Sequence, residues 1–404
     1  MISNNTFSQS GWDIQTSGVN TFLWGISFVN SNTGYIASDG GKVLKTTNGG
    51  INWSIQNLTP SVNVTSIHFV EAQTGYVAGS QGKIFKTTNG GSNWVLTNSP
   101  TANSIQSLYF SDENNGLIGS GSSTAGELYK TTNGGLNWTQ YEQGVFLSYV
   151  MALSFPDAST GYAASYNGTV QKTTNAGLNW VSQNTGLSSS SALFGTYFTD
   201  VNIGYAAASD GHIIKTINGG TNWSIVYNTT YAVVNVFFPN ALTGYAVGGN
   251  FTDEVVFRTT NGGTNWISEV LPLQGHANSI FFTSLNEGYI TCENGVIYKT
   301  TNGGNPMGIE PVSSEVPDEF QLGQNYPNPF NPSTYIEFKI ASSGLVNVTI
   351  YNTLGQLITV IANNEMQAGT YKINFDASYL PSGIYYYTLT AGIYKFTKKM
   401  VLIK

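Results

Sequence analysis

Seven copies of one short turn sequence run through this chain, 41 to 44 residues apart. It reads KTTNGG at Lys45, Lys86, Lys130 and Lys299, KTTNAG at Lys172, KTINGG at Lys215 and RTTNGG at Arg258. A Trp follows each of the first six copies at an offset of eight: Trp53, Trp94, Trp138, Trp180, Trp223 and Trp266. The seventh copy runs into Asn305-Pro306 and has none, but an equivalent Trp stands at the other end, as Trp12 in GWDIQTSG. A repeat array that ends one strand short and begins with that strand closes on itself. Periods of this length mark solenoids or propellers, and the closure selects a propeller of seven blades.

Other landmarks keep the register. A Phe recurs at 28, 69, 110, 155, 198, 238 and 282, and a Gly follows each at an offset of six. Tyr follows that Gly in every copy but the third, which has Leu117. Each copy divides into four short strands, A to D. In the second copy they are TSIHF, TGYVAGS, GKIFKTT and NWVLT. Alternating apolar residues, β-branched content and Gly/Asn punctuation all favour strands. In the C–D turn, Thr46-x-Asn48-x-Gly50-x-Asn52-Trp53 sets an Asn where its side chain bonds its own backbone.

That turn resembles the Asp-box of bacterial neuraminidase repeats, with Asn in place of Asp in every copy and Ala176 in the first Gly slot of the fourth. The style GYxxGxxGxxxKTTNGGxNW, over about residues 11–304, is similar to the photosystem II assembly and stability factor family of seven-bladed propellers. The Asp-box resemblance speaks to fold, because that motif is structural in known propellers. The photosystem resemblance implies an assembly factor as one functional alternative. The outward sorting signal described below argues against it, as does the scarcity of Arg.

Charged residues make up only 9% of the chain, well below the ~25% of average domains. A net charge of −7 with a single Arg argues against nucleic acid or an anionic membrane as partner. The lone Cys292 excludes a disulfide framework and a Cys-based zinc cluster, and reads as buried filler. No metal site and no cofactor is expected. His68, His212 and His276 fall in different copies, and no apolar run reaches the ~18 residues of a membrane helix. The start, MISNNTFSQSGW, lacks the basic and apolar regions of a signal peptide, so an export signal is expected upstream or already removed.

The repeats stop at Gly304. Residues 305–319, rich in Pro and acidic residues, read as a linker, and residues 320–404 as a small Ig-like β-sandwich. This last segment resembles the type A C-terminal sorting domain of the type IX secretion system. The resemblance rests on Asn325-Tyr326-Pro327-Asn328-Pro329-Phe330-Asn331-Pro332, on Ile350-Tyr351-Asn352-x-Leu354-Gly355, on Gly383-Ile384-Tyr385, and on Lys399-Met400-Val401-Leu402-x-Lys404. It implies Sec-dependent entry to the periplasm, passage across the outer membrane, and handling by the secretion machinery and its sortase. The product is then released or anchored at the cell surface.

Length variation locates function within the propeller. The A–B spacing (Phe to Gly) is six in every copy and the C–D spacing (Lys/Arg to Trp) is eight in every complete one. The B–C spacing is 11 or 14, and the D–A spacing varies from 15 to 18. All variation therefore falls on the face formed by the B–C and D–A connections, where binding is expected. Candidate residues there are Trp24, Asp39, Tyr149, Tyr166, Asp210, Phe251, Asp253, Glu254 and Glu293, with Tyr141, Phe146, Tyr227, Tyr231 and His276 nearby. Aromatics among carboxylates suit a glycan or protein ligand. The expected role is partner binding without catalysis. The enzymatic alternative is a glycan hydrolase using two of these carboxylates. Sialidase chemistry is excluded, because those enzymes use three Arg and only Arg258 is present. The seven cations from Lys45 to Lys299 read as framework.

Overall fold

The structure is a computed structural model that describes residues 11–141, 146–271, 275–304, 309–313, 315–377 and 380–404. Two compact units make up the chain, one almost wholly from residues 13–301 and one holding 302–404. Among the described residues, apart from two short 3-10 turns, all regular structure is β.

Seven four-stranded antiparallel sheets follow one another in the repeat region. The first consists of Leu23–Phe28, Gly34–Ser38, Lys42–Thr46 and Ser54–Asn57, strands A to D. The seventh takes three strands from the end of the array, Ala277–Phe282, Gly288–Cys292 and Val296–Gly304, and its fourth from Gly11–Thr16. Trp12 on that strand is only 2% exposed. The innermost strands contact one another in cyclic order, and the seventh meets the first. This is a closed propeller.

The Phe-to-Gly spacing has a packing cause. In each blade the Phe ring lies on the Gly six residues later, so a methyl group there would overlap the ring. The Tyr after that Gly then stacks on the Phe of the next blade. Tyr76 meets Phe110 at 3.5 Å, Tyr162 meets Phe198 at 3.4 Å, and Tyr289 meets Phe28 across the closure at 4.4 Å. Where Leu117 replaces Tyr, it joins Phe155 in one apolar cluster. The repeat is thus a code for contacts between blades, and offset stacking adds to the area it buries.

The cations act as framework. Lys45 Nζ donates to the Gly90 carbonyl at 2.6 Å, Lys130 to Ala176 at 2.7 Å, Lys172 to Gly219 at 2.8 Å and Lys299 to Gly49 at 2.7 Å. Each reaches the C–D turn of the following blade. That turn is locked by its own side chains: Thr46 Oγ1 accepts from the Gly50 N–H (2.9 Å) and Asn48 Oδ1 from the Asn52 N–H (3.0 Å), with Gly50 at φ +78°. Across each of the first six blades the C–D turn also bonds the A–B turn, as in Gly49 N to Asn32 O at 2.9 Å. The two turn types therefore share one face.

The C-terminal unit holds two four-stranded sheets. One orders Ile309–Ser313, Gly369–Asp376, Ser333–Ile340 and Gln321–Leu322; the other orders Leu357–Met366, Gly344–Tyr351, Gly383–Ala391 and Tyr394–Leu402. Their apolar residues form one core that includes Phe330, Phe338, Ile350 and Leu389. The segment read as a linker, 305–319, therefore carries a strand, because Ile309–Ser313 pairs with Gly369–Asp376.

Candidate binding face

The B–C and D–A connections meet on the face opposite the uniform turns. Tyr166 N donates to Tyr149 O, Ser80 N to Asn63 O and Glu293 N to His276 O. At this end the innermost strands change register. Six of the seven carry a bulge at the same place: after Leu23, Val64, Val150, Leu193, Val233 and Ala277. A bulge re-aims the side chain it carries. Here it aims Trp24, Thr65, Met151, Phe194, Val234 and Asn278 at the central channel, and Gln106 completes the ring from the third blade. The cavity they line has a volume of about 600 Å3.

These seven residues share one sequence position, four before the repeating Phe. The copies read Trp, Thr, Gln, Met, Phe, Val and Asn there, while the residue before is always apolar. Of the seven, only Trp24 stood among the sequence candidates. The usable signal was this one position, different in every copy, between a residue that is always apolar and one that is Gly, Ser, Ala or Asn. Met151, Phe194 and Val234 give three adjacent blades an apolar arc. Thr65, Gln106 and Asn278 are polar, Trp24 completes the ring, and Asn278 Nδ2 also donates to Leu23 O of the first blade at 2.8 Å.

The sequence candidates fall into separate groups around this mouth. Tyr149 and Tyr166 come together, nearly perpendicular with ring centroids 6.0 Å apart, and Tyr166 meets Phe194 at 6.0 Å. Both tyrosines line a second pocket of about 520 Å3 that shares Gln106 and Met151 with the channel. Trp24 Nε1 donates to Asp39 Oδ1 at 2.9 Å, and its ring stacks on Phe22. Asp210 accepts from Ser191 and has His212 Nδ1 at 3.0 Å. Burial alone would raise the Asp210 pKa, but the bonds from Ser191 and His212 hold it below the usual carboxylate value. Asp253 accepts from the Tyr231 hydroxyl at 3.3 Å, while Phe251 stands 95% exposed with its ring 6.2 Å from His276. Glu293 is half-buried in a 3-10 turn, Glu293–Gly295. The side chain of Tyr141 lies outside the described residues.

Glu254 requires a correction. It was expected on the surface and is fully buried (0% exposed). The position four before the repeating Lys/Arg is Gly in the other six copies. In those copies a Cβ would strike the connection that follows, as at Gly82 against Thr101 O and Gly211 against Thr229 O. A larger residue at this position must therefore enter the seam between blades. Glu254 Oε2 accepts from the Ala277 N–H of the next blade at 2.8 Å, and Oε1 is buried without a hydrogen-bond partner. Burial raises its pKa to about 8, and Glu293 adds to the rise. Cys292, buried in the same seam, has its thiol pushed up by burial and by these two carboxylates.

Neither mouth cavity is lined by an Asp or Glu. Among the described residues, no group of three or more His, Cys, Asp or Glu could hold a metal ion.

In the C-terminal unit, the segment from Asn325 to Pro332 is tied to the last strand. Asn328 Oδ1 accepts from Val401 N at 2.9 Å, and Asn328 Nδ2 donates to Lys399 O at 3.3 Å. Phe330 N donates to Val401 O, Ile403 N donates to Phe330 O, and the Phe330 ring is buried against Phe375. Asn325 Nδ2 holds Pro327 O and Thr334 Oγ1, and the peptide bonds preceding Pro327 and Pro329 are cis. The Asn331 and Pro332 side chains lie at the surface end of this loop, where Pro332 O accepts from Ala377 N. Gly355 takes φ +73° in the turn capped by Asn352, and Lys404 N donates to Ser382 Oγ at 3.0 Å.

Residues 324–404 match the family described as secretion system C-terminal sorting domain, and residues 4–147 and 52–182 match photosynthesis system II assembly factor YCF48. This chain carries a YCF48-like propeller and a type IX sorting domain. Solved structures agree on the propeller. One titled YCF48 bound to D1 peptide is 17% identical with a TM-score of 0.60, covering 73% of this chain and 98% of that one. YCF48 from Cyanidioschyzon merolae is 18% identical (TM-score 0.59), covering 72% and 98%. The U3-55K structure is 10% identical (TM-score 0.59), also covering 72% and 98%. At such identities the likeness establishes fold. A search of curated proteins returned no match. The sorting domain implies export by the type IX system, to the cell surface or the medium. Among the described residues no helix is long and apolar enough to cross a membrane.

Proposed function

We propose that this exported propeller binds a glycan or protein partner on its variable face, without catalysing a reaction. The observation that carries this is the ring at the channel mouth. One repeat position, four before the Phe, holds seven different side chains in the seven blades, and all of them line one cavity. Framework positions repeat because every blade needs the same contact. A position free of that constraint and aimed at a cavity is available for recognition. The hydrolase alternative draws no support from this geometry, because Asp39, Asp210 and Asp253 are each engaged by different neighbours. A YCF48 bound to D1 peptide keeps a peptide partner, and an assembly role, as the second reading.

On this proposal residues 1–304 are the binding unit. Residues 320–404 form an Ig-like sandwich read by the secretion machinery and removed by its sortase. The strand Ile309–Ser313 makes part of the 305–319 connection belong with that sandwich. The test uses the full chain immobilised against cell-surface polysaccharides and surface proteins. Shortening loop 122–125 or 250–253, or changing Tyr149→Ala, lowers capture, while Asn30→Ala or Asp157→Ala on the opposite face leaves it unchanged. The reverse pattern overturns the assignment of the face. Removal of residues 309–404 leaves the protein in the periplasm; its continued export would overturn the sorting role.

A further inference from the structure

We propose that the pocket spanning blades two to four, beside the channel mouth, binds a neutral oligosaccharide; this rests on the variable face being the binding face. The pocket is built from Ser80, Asn103, Ser104, Gln106, Tyr149 and Tyr166, with Met151 at its floor toward the channel. Its volume of about 520 Å3 falls within the roughly 300–1,000 Å3 of small-ligand sites. No Lys, Arg, His, Asp or Glu lines it. What lines it instead is hydroxyls and carboxamides, groups that both donate and accept. Sugar hydroxyls have the same dual character, so such a wall can satisfy each of them in either sense.

The aromatic component fits the same ligand. Tyr166 is 45% exposed, and near-perpendicular contacts with Tyr149 and Phe194 brace its ring. A braced, open ring can stack on the apolar face of a pyranose with little further loss of side-chain freedom. Electrostatics exclude acidic sugars. Glu127 lies behind the pocket, accepting from Thr101 and Ser120 at 2.8 Å and from Asn103 at 3.0 Å. Those bonds outweigh the effect of its burial and keep it ionised. With no cation in the lining, an anionic ligand would meet only repulsion. A peptide finds neither a charged anchor for a chain terminus nor, beyond Met151 and Ala102, an aliphatic lining for its side chains.

The test is calorimetric titration of the full chain with neutral hexasaccharides (cellohexaose, xylohexaose and mannohexaose), with polygalacturonate as the acidic comparison. At least one neutral probe binds and polygalacturonate does not. Tyr166→Ala and Gln106→Ala each weaken that binding by about tenfold or more. Tyr166→Phe, which keeps the ring, stays close to wild type, and so does Asp157→Ala on the opposite face. Failure of every neutral probe overturns the proposal, as does binding that ignores Tyr166 and Gln106. Capture of a peptide in a Tyr166-dependent way would overturn it too, yet leave the variable face as the binding face. Ligand capture sensitive only to Asn30 or Asp157 would overturn both.

Discussion

The two faces of the propeller are made by the same strands and obey different rules. On the turn face the blades repeat one contact set, with Leu117 and Arg258 as the substitutions: Lys to the next C–D carbonyl, Tyr onto the next Phe, Thr and Asn locking the turn. On the other face the same strands bulge, and their side chains differ blade by blade. Cohesion is concentrated at one end of each strand, which releases the other end from packing constraints. Substitutions at the first end should therefore show up in stability, and those at the second in binding.

The largest effect is expected at the closure. Trp12→Ala removes a buried indole from the seventh sheet and should cost about 3–5 kcal/mol. A melting temperature unchanged from wild type would show that the N-terminal strand does not complete that sheet.

Next comes the seam residue that breaks the repeat. Glu254 holds its proton to about pH 8 when folded, against an ordinary value of 4.5. The folded state then binds more protons than the unfolded state between those values. Stability from this group is complete below about 4.5 and is lost as pH rises through 8, by ~1.4 kcal/mol per pH unit at most. The Glu254→Gln variant stays neutral, so denaturation curves should show its advantage over wild type growing across that window. Parallel pH profiles would mean that the carboxyl is not held neutral. Cys292 and Tyr298 share the seam, and burial pushes both up, so neither should titrate there.

A smaller loss is expected from Gly161→Ala, whose methyl would overlap the Phe155 ring: about 1–3 kcal/mol, measured by denaturant unfolding. The smallest effect separates the faces most cleanly. Tyr166→Ala and Phe251→Ala, both at exposed rings, should change stability by no more than about 0.5 kcal/mol. A larger loss at Tyr166 would make it part of the framework.

Much of the framework was legible because its spacing is rigid. Phe28 to Gly34 is a ring lying on a residue without a side chain, so insertions are not tolerated and the period survives in every copy. The pairing of Trp12 with the last repeat could be inferred from a missing Trp alone. The site was less legible. Tyr149 and Tyr166 could be found because they sit on the face whose connections vary in length, but Met151 and Phe194 lie inside strands where alternation predicts a plain core residue, and Gln106 immediately precedes one. A bulge in the strand turns the Met151 and Phe194 positions toward the channel, and no residue type announces it. Glu254 failed in the opposite sense. A carboxylate in a Gly- and Asn-rich loop reads as solvated, and only alignment with the glycine of the other six copies shows that it has no room outside.

The strand Gly11–Thr16 is made before any other part of the propeller, and the strand beside it, Val296–Gly304, is made after all the rest. Joining ends so distant in sequence adds little to the equilibrium cost, which grows only as the logarithm of loop length, but it does slow folding. Until that pairing forms, the ring is open and the seventh sheet lacks its outer edge, exposing backbone groups that invite aggregation. Only a chain with its first and last repeats intact can fasten the ring. Closure therefore acts as a completeness check: a fragment missing either end carries an open seam that proteases and quality control can recognise.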